Sequence, residues 1–257
     1  MKNRFNELLA LHNNAEVLHI GNVWNAQSAK IYQAQNFKVI GTSSAAVADS
    51  LGFADGEEMS FDDYLFIIKR ILASTSAILT VDLETGYGKT AEEISSNITW
   101  LYKLGVSGIN IEDSVITDGK RTIGNASDFA EKLKQIMALL NAAGVKLFIN
   151  VRSDSFLLGL PNALADALER IAAYQVTGVH GLFFPCVTHI ADIEKLTAIS
   201  TLPINVMCMP GLPGFEQLQK AGVKRISVGP FVNMNVYQDL ESTITKIQSE
   251  GSFASLF

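Results

Sequence analysis

The chain has 257 residues, of which 48% are hydrophobic and 18% charged, with a formal net charge of −6. That balance excludes a disordered chain, and the absence of any standout Lys or Arg cluster argues against a nucleic-acid partner. The length suits one (β/α)8 barrel and buries a large core without covalent staples.

The N-terminal stretch MKNRFNELLALHNN is charged and amphipathic. It has no sustained apolar run, so neither a signal peptide nor a membrane span is expected. The first predicted strand is VLHIGN from Val17 and the second is VIGTSS from Val39. FDDYLFIIKRILA from Phe61 then places Tyr64, Ile67, Ile68 and Ile71 on one helical face. AILTVDLE from Ala77 is the third strand. Thr90, with Glu93 three places on, has capping-box spacing and opens a helix over AEEISSNITWLYKLG. GINIED from Gly108, LFINVRS from Leu147, GLFFPC from Gly181, LPINVM from Leu202 and RISVG from Arg225 complete the strands, and a last helix runs from about Phe231 to Ser249. Gly105, Gly144, Gly178 and Gly222 each stand just before a strand, where a helix C-cap belongs. The strands lack clean alternation, as parallel strands covered on both faces do. The count predicts an α/β fold of (β/α)8 TIM-barrel type, one domain over residues 1–257. No GxGxxG follows the first strand, which argues against a doubly wound sheet.

In such a barrel the chemistry lies at the C-terminal ends of the strands. Those ends carry Asn22, Trp24 and Asn25; Ser43 and Ser44, with Asp49 and Asp55 in the loop beyond; Asp82 and Glu84; Glu112 and Asp113; Arg152 and Asp154; Cys186; and Met207 with Cys208. These acidic groups thus converge on one face opposite an arginine. Clustered carboxylates repel unless something neutralises them, and a hard divalent cation such as Mg2+ does so through oxygen ligands. Arg152 offers a fork that fits a carboxylate or phosphonate. Asp55 and Asp113 have the alternative of capping a helix, and Arg152 that of a structural ion pair. The two cysteines have no zinc-type spacing and read as reduced thiols of a cytoplasmic protein. The four histidines show no metal spacing and are assigned no role.

GTSSAAVADSLGFADGE, VDLETGYG, INIEDS and INVRSDSF, in this order, resemble the isocitrate lyase/phosphoenolpyruvate mutase superfamily from about Gly21 to Gly229. The resemblance implies a Mg2+ site with Asp82 as the ligand, direct or nearly so. Glu84 stands where an Asp is usual and implies a role through water. Glu112 and Asp55 match the family's further acids. It implies that Ser43 and Ser44 hold a 2-oxo acid carboxylate together with Arg152, with Trp24 filling the space beside them or belonging to the core.

The departures are informative. Family lyases that cleave isocitrate or 2-methylisocitrate carry a KKCGH-type segment on a gating loop after the fourth strand. The stretch EDSVITDGKRTIGNASDF has neither Cys nor His there, and it also lacks the EDKxFPK-like segment of the phosphonomutases. It keeps Lys120 and Arg121, which either close over an anion or sit at a solvated tip. The expectation is therefore a Mg2+-dependent carbon–carbon lyase or decarboxylase that works on a small 2-oxo acid through a metal-stabilised enolate. The alternatives are phosphonopyruvate mutase or hydrolase chemistry, or a 2-oxo acid binder with little catalysis. A homo-oligomer, dimer or tetramer, is expected from the resemblance and from the apolar tail SFASLF.

Overall fold

The computed structural model describes residues 4–117 and 120–257. Among these residues the strands are β1 (Leu18–Val23), β2 (Val39–Thr42), β3 (Ile78–Asp82), β4 (Gly108–Glu112), β5 (Ser114–Thr117), β6 (Lys120–Ile123), β7 (Phe148–Arg152), β8 (Gly181–Phe184), β9 (Ile204–Met207) and β10 (Arg225–Ser227). Eight of them close into a barrel in the order β1-β10-β9-β8-β7-β4-β3-β2, and every pairing in it is parallel. This is the predicted (β/α)8 architecture.

The helices between the barrel strands are α2 (Ala26–Ala34), α3 (Ser44–Leu51), α4 (Phe61–Leu72), α5 (Ala91–Leu104), α6 (Ala126–Ala142), α7 (Ala163–Tyr174), α8 (Ile190–Ile199) and α9 (Phe215–Lys220), with α10 (Phe231–Glu250) after the last strand. Local signals act as read. Thr90 and Glu93 form the reciprocal capping box of α5, and Gly105 ends that helix in the left-handed region. Helix α4 buries Tyr64, Leu65, Ile68, Ile71 and Leu72 against the sheet, with Ile67 packed only partly.

Two features were not anticipated. The first is α1 (Phe5–His12), which closes the N-terminal end of the barrel. Leu8 joins Leu18, Ile20, Val39, Ile78 and Phe148 in a buried cluster, and each such side chain contributes about 1.5–3 kcal/mol. A Cβ at Gly108 would come within 2.9 Å of Leu8, so only glycine admits this helix so closely. His12 stacks on Phe148 at 4.0 Å. The second is that the segment read as a gating loop carries an antiparallel ribbon, β5 paired with β6. Asp118 and Gly119 of that segment lie outside the described residues.

Alternation along the strands sets the interior of the barrel in layers. Ile78, Thr80 and Asp82 share one face of β3, Gly108, Asn110 and Glu112 one face of β4, and Phe148, Asn150 and Arg152 one face of β7. The bottom layer is apolar, the middle polar and the top charged.

Candidate active site

The top layer brings Asp82, Glu112 and Arg152 together. They are the last residues of β3, β4 and β7, which are neighbours in the barrel. With Asn22, Ser43, Ser44 and Asp55 most of this set lines a cavity of about 170 Å3. That is small against the hundreds of Å3 of a drug-sized pocket, and suits an acid of a few carbons. A larger cavity of about 460 Å3 lies beside it, lined by Glu57, Thr85, Ser114 and Lys132 and touched by Glu112. It lacks Asp82, Ser44 and Arg152, so the smaller one is the candidate site.

Asp82 is held from both sides. Its Oδ2 accepts from Ser44 Oγ at 2.9 Å and its Oδ1 from Asn110 Nδ2 at 3.1 Å. Its backbone amide donates to Thr42 Oγ1 at 2.9 Å, and its carbonyl accepts from Tyr64 OH at 3.0 Å. The side chain thus has neutral donors only, and each oxygen keeps a lone pair for a further ligand. Ser43 caps α3, accepting from Ala46 N at 3.3 Å. The first amides of that helix therefore sit at the cavity wall, where an anion is favoured.

Glu84 follows in a left-handed conformation, φ +52°, and is buried. Its Oε2 has no hydrogen-bond partner among the described residues. Burial, reinforced by Asp55, Glu112 and Asp82, pushes its pKa up to about 9. The turn beyond it depends on Gly86, φ +114°, where a Cβ would meet Ile94 at 2.8 Å.

Glu112 has a different environment. Its Oε2 lies 3.0 Å from Arg152 Nη1, and its Oε1 accepts from Arg121 Nη1 and from Ser114 Oγ. Burial opposes its ionisation, but Arg152 and Arg121 outweigh that and hold its pKa below the usual carboxylate value. Arg152 also grips Asp154, with Nε at 2.6 Å from Oδ1 and Nη2 at 3.2 Å from Oδ2. Arg121 reaches Asp154 and Asp55 at 3.3 Å each. The ribbon explains this placement: period two turns Arg121 and Ile123 inward, and leaves Lys120 and Thr122 exposed. Arg121 is brought into the site and Lys120 is not.

Trp24 is 8% exposed and belongs to the hydrophobic core cluster, not to the cavity wall. Asp113 caps no helix. It accepts from Arg170 Nη1 at 3.0 Å and Tyr174 OH at 2.9 Å, and burial pushes its pKa up to about 6. Cys186, φ +65°, is a half-buried free thiol whose Sγ lies 3.9 Å from Met209 Sδ, and burial pushes its pKa up. Residues the sequence reading missed are Asn110, Ser114 and Glu57. The first two flank Glu112 at the alternation spacing, which was the available signal. Glu57 Oε1 accepts from Thr85 N, Thr85 Oγ1 and Tyr87 N and so braces the turn after β3.

Among the described residues no three His, Cys, Asp or Glu side chains stand close enough to clasp a metal by themselves. Glu112 and Asp55 are engaged by arginine. What fits a divalent cation is narrower: Asp82 with free lone pairs and the unpartnered Glu84 Oε2 nearby. That matches an ion that takes few direct carboxylates and completes its shell with water and substrate.

The family of phosphoenolpyruvate phosphomutase matches residues 8–248. The chain belongs to this family. Three relatives show its spread. The 2-methylisocitrate lyase of Escherichia coli K12 is 30% identical over 217 residues, 80% of this chain and 71% of that protein. An oxaloacetate decarboxylase of Rhodopseudomonas palustris BisB18 is 28% identical over 213 residues, 79% and 70% of the two chains. A Burkholderia cenocepacia structure, provisionally assigned as a phosphonomutase, superposes with a TM-score of 0.88 at 32% identity, covering 95% of this chain and 100% of that one. The proteins this chain is similar to thus carry lyase, decarboxylase and phosphonomutase names. Among the described residues no helix is long and apolar enough to cross a membrane.

Proposed function

We propose that this family member is a Mg2+-dependent lyase or decarboxylase of a small 2-oxo di-acid, acting in the cytoplasm. The observation that carries the reading is Asp82, oriented by two neutral donors in a small cavity that Arg152 also lines, with the buried, unpartnered Glu84 carboxyl two residues on and outside the cavity wall. Asp82 would hold the ion directly, with Glu84 and Asp55 acting through its waters. When bound, Mg2+ supplies Lewis-acid stabilisation of the charge that develops on the 2-oxo oxygen.

The chain's own groups do the rest. Ser43, Ser44 and the first amides of α3 receive the carboxylate next to the 2-oxo carbon. Arg152 and Arg121 face the far end of the substrate and favour a second anionic group there. Within the described part of the β5–β6 ribbon no thiol or imidazole is available to move a proton. This favours decarboxylation over hydroxy-acid cleavage. Loss of CO2 sends the electron pair of the breaking C–C bond toward the 2-oxo oxygen and needs no base. Cleavage of a hydroxy acid needs a base to take the hydroxyl proton and an acid to protonate the carbon that leaves.

The test is calorimetric titration of pyruvate, oxaloacetate, 2-oxoglutarate and phosphonopyruvate with and without Mg2+, followed by product assay. Mg2+-dependent binding and turnover of oxaloacetate are expected. Binding without product would make the chain a 2-oxo acid binder, and turnover of phosphonopyruvate alone would move it to P–C chemistry.

We also infer a homo-oligomer. Helix α10 has 20 residues, of which Asn233 is buried, while Met234, Tyr237, Leu240 and Ile244 form an exposed apolar stripe. Beyond it Phe253, Leu256 and Phe257 are exposed as well. A second copy would cover this surface.

A further inference from the structure

The middle of the barrel is filled by polar side chains where branched aliphatic residues usually pack. Asn110, Asn150, Asn205 and Arg225 are all buried there. Arg225 is the exceptional member. Its Nη2 donates to Asn110 Oδ1 at 3.2 Å, while Nε and Nη1 have no partner among the described residues. An under-satisfied buried guanidinium weakens a fold, and apolar residues of similar volume often serve stability better. Its presence therefore calls for a reason other than stability.

The hydrogen bonds supply one, because each amide orientation follows from its neighbour. Asn205 Nδ2 donates to the backbone carbonyls of Val206 at 2.6 Å and Arg225 at 3.3 Å. Carbonyls only accept, so Asn205 Oδ1 must face the other way, where it accepts from Asn150 Nδ2 at 3.2 Å. The same Nδ2 donates to Asn110 Oδ1 at 2.9 Å. Arg225, which can only donate, approaches that oxygen too. With Oδ1 committed, Asn110 can turn only its amide hydrogens toward Asp82, and it does so at 3.1 Å. The flipped amide would set an oxygen against a carboxylate and hydrogens against a guanidinium.

We propose that Arg225 and Asn110 are positioning residues that orient Asp82 for cation binding from inside the barrel. The proposal rests on the reading of Asp82 as the Mg2+ ligand. Burial lowers the Arg225 pKa only to about 10, so the guanidinium stays charged at neutral pH. Neither residue needs to touch the ion. They select the Asp82 rotamer in which Oδ1 is held from below and Oδ2 by Ser44, and so remove reorganisation from the binding step.

The experiment is Mg2+ titration by calorimetry into the full-length chain and its Asp82→Ala, Asn110→Leu, Arg225→Met and Arg225→Lys variants, with Mn2+ electron paramagnetic resonance and thermal melting on each. Asn110→Leu and Arg225→Met are expected to raise Kd roughly 10- to 100-fold, the usual effect of losing a group that orients a metal ligand. Arg225→Lys, which keeps a donor and a charge, should recover most of the affinity, and Arg225→Met should melt no lower than the parent. A merely structural role would lower the melting temperature of Arg225→Met and leave the Kd of the folded protein unchanged. That result overturns the proposal, as does an unchanged Kd in Asn110→Leu should Arg225→Met not fold. If the parent chain binds no Mg2+, or Asp82→Ala binds it equally well, the metal reading itself has failed and this proposal falls with it.

Discussion

Arg152 Nη1 lies 3.0 Å from Glu112 Oε2, and the two residues sit at paired positions on the adjacent strands β7 and β4. Glu112 is buried, its side chain 1% exposed, and Arg152 is largely so at 14%. Arg152 also pairs with Asp154, so it shares with Arg121 the neutralisation of two carboxylates. Removing it leaves both of them buried beside fewer positive charges. Arg152→Met is expected to lower stability by about 3–5 kcal/mol. Urea unfolding would measure this, and adding Glu112→Gln to the variant should restore part of the loss.

Asp82→Ala should abolish Mg2+ binding, and turnover of any 2-oxo acid with it. Asp55→Ala and Glu112→Ala should weaken binding less, since Asp55 would act through water and Glu112 is engaged by arginine. Calorimetry on the three variants gives the ranking. Full metal affinity in Asp82→Ala would rule out its assignment as the ligand.

Isocitrate and 2-methylisocitrate should not be cleaved at an appreciable rate. The group that the β5–β6 ribbon places against Glu112 is the Arg121 guanidinium, which stays protonated and cannot deliver a proton. Release of glyoxylate or pyruvate from these substrates is the assay. Robust turnover would show that another residue, with Cys186 the first to test, serves as the acid.

Acid should weaken the bottom of the barrel. Burial lowers the pKa of His12 to about 3 and that of His180, whose ring lies 5.5 Å from that of Phe148, to about 4. Both folded values lie below the unfolded one of about 6.5, so the unfolded chain takes up protons first. Stability is then fully present above about pH 6.5 and declines as pH falls toward those values, by up to about 1.4 kcal/mol per pH unit for each histidine. Urea midpoints between pH 7 and pH 4.5 should show this slope, and His12→Phe should reduce it. An unchanged slope in that variant would mean that other groups dominate the acid limb.

Deleting residues 251–257 removes Phe253, Leu256 and Phe257, all exposed on one copy of the chain. Light scattering should report an oligomer for the full chain and a smaller species for the truncated one. A monomeric mass for the full-length protein would refute the assembly.

Much of this protein was legible in one dimension. Buried parallel strands need largely apolar runs, so the segments from Val39, Ala77, Gly108 and Leu147 marked their strands. Barrel geometry then obliges polar residues at the C-terminal ends to share a face, and this rule alone groups Asp82, Glu112 and Arg152. The ribbon was not read from the sequence, because a family gating loop was the competing reading of that segment. Tertiary structure alone decided three matters. It put Arg121 against Asp154 and Asp55 as well as the nearby Glu112; the first two contacts join segments far apart in the chain, which no local pattern encodes. It sent Trp24 into the core, since an aromatic at a strand end packs equally well on a wall or beneath it. And it joined Arg225 to Asp82 through Asn110, because side chains from β10, β4 and β3 meet only when a closed barrel folds their inward faces onto one axis.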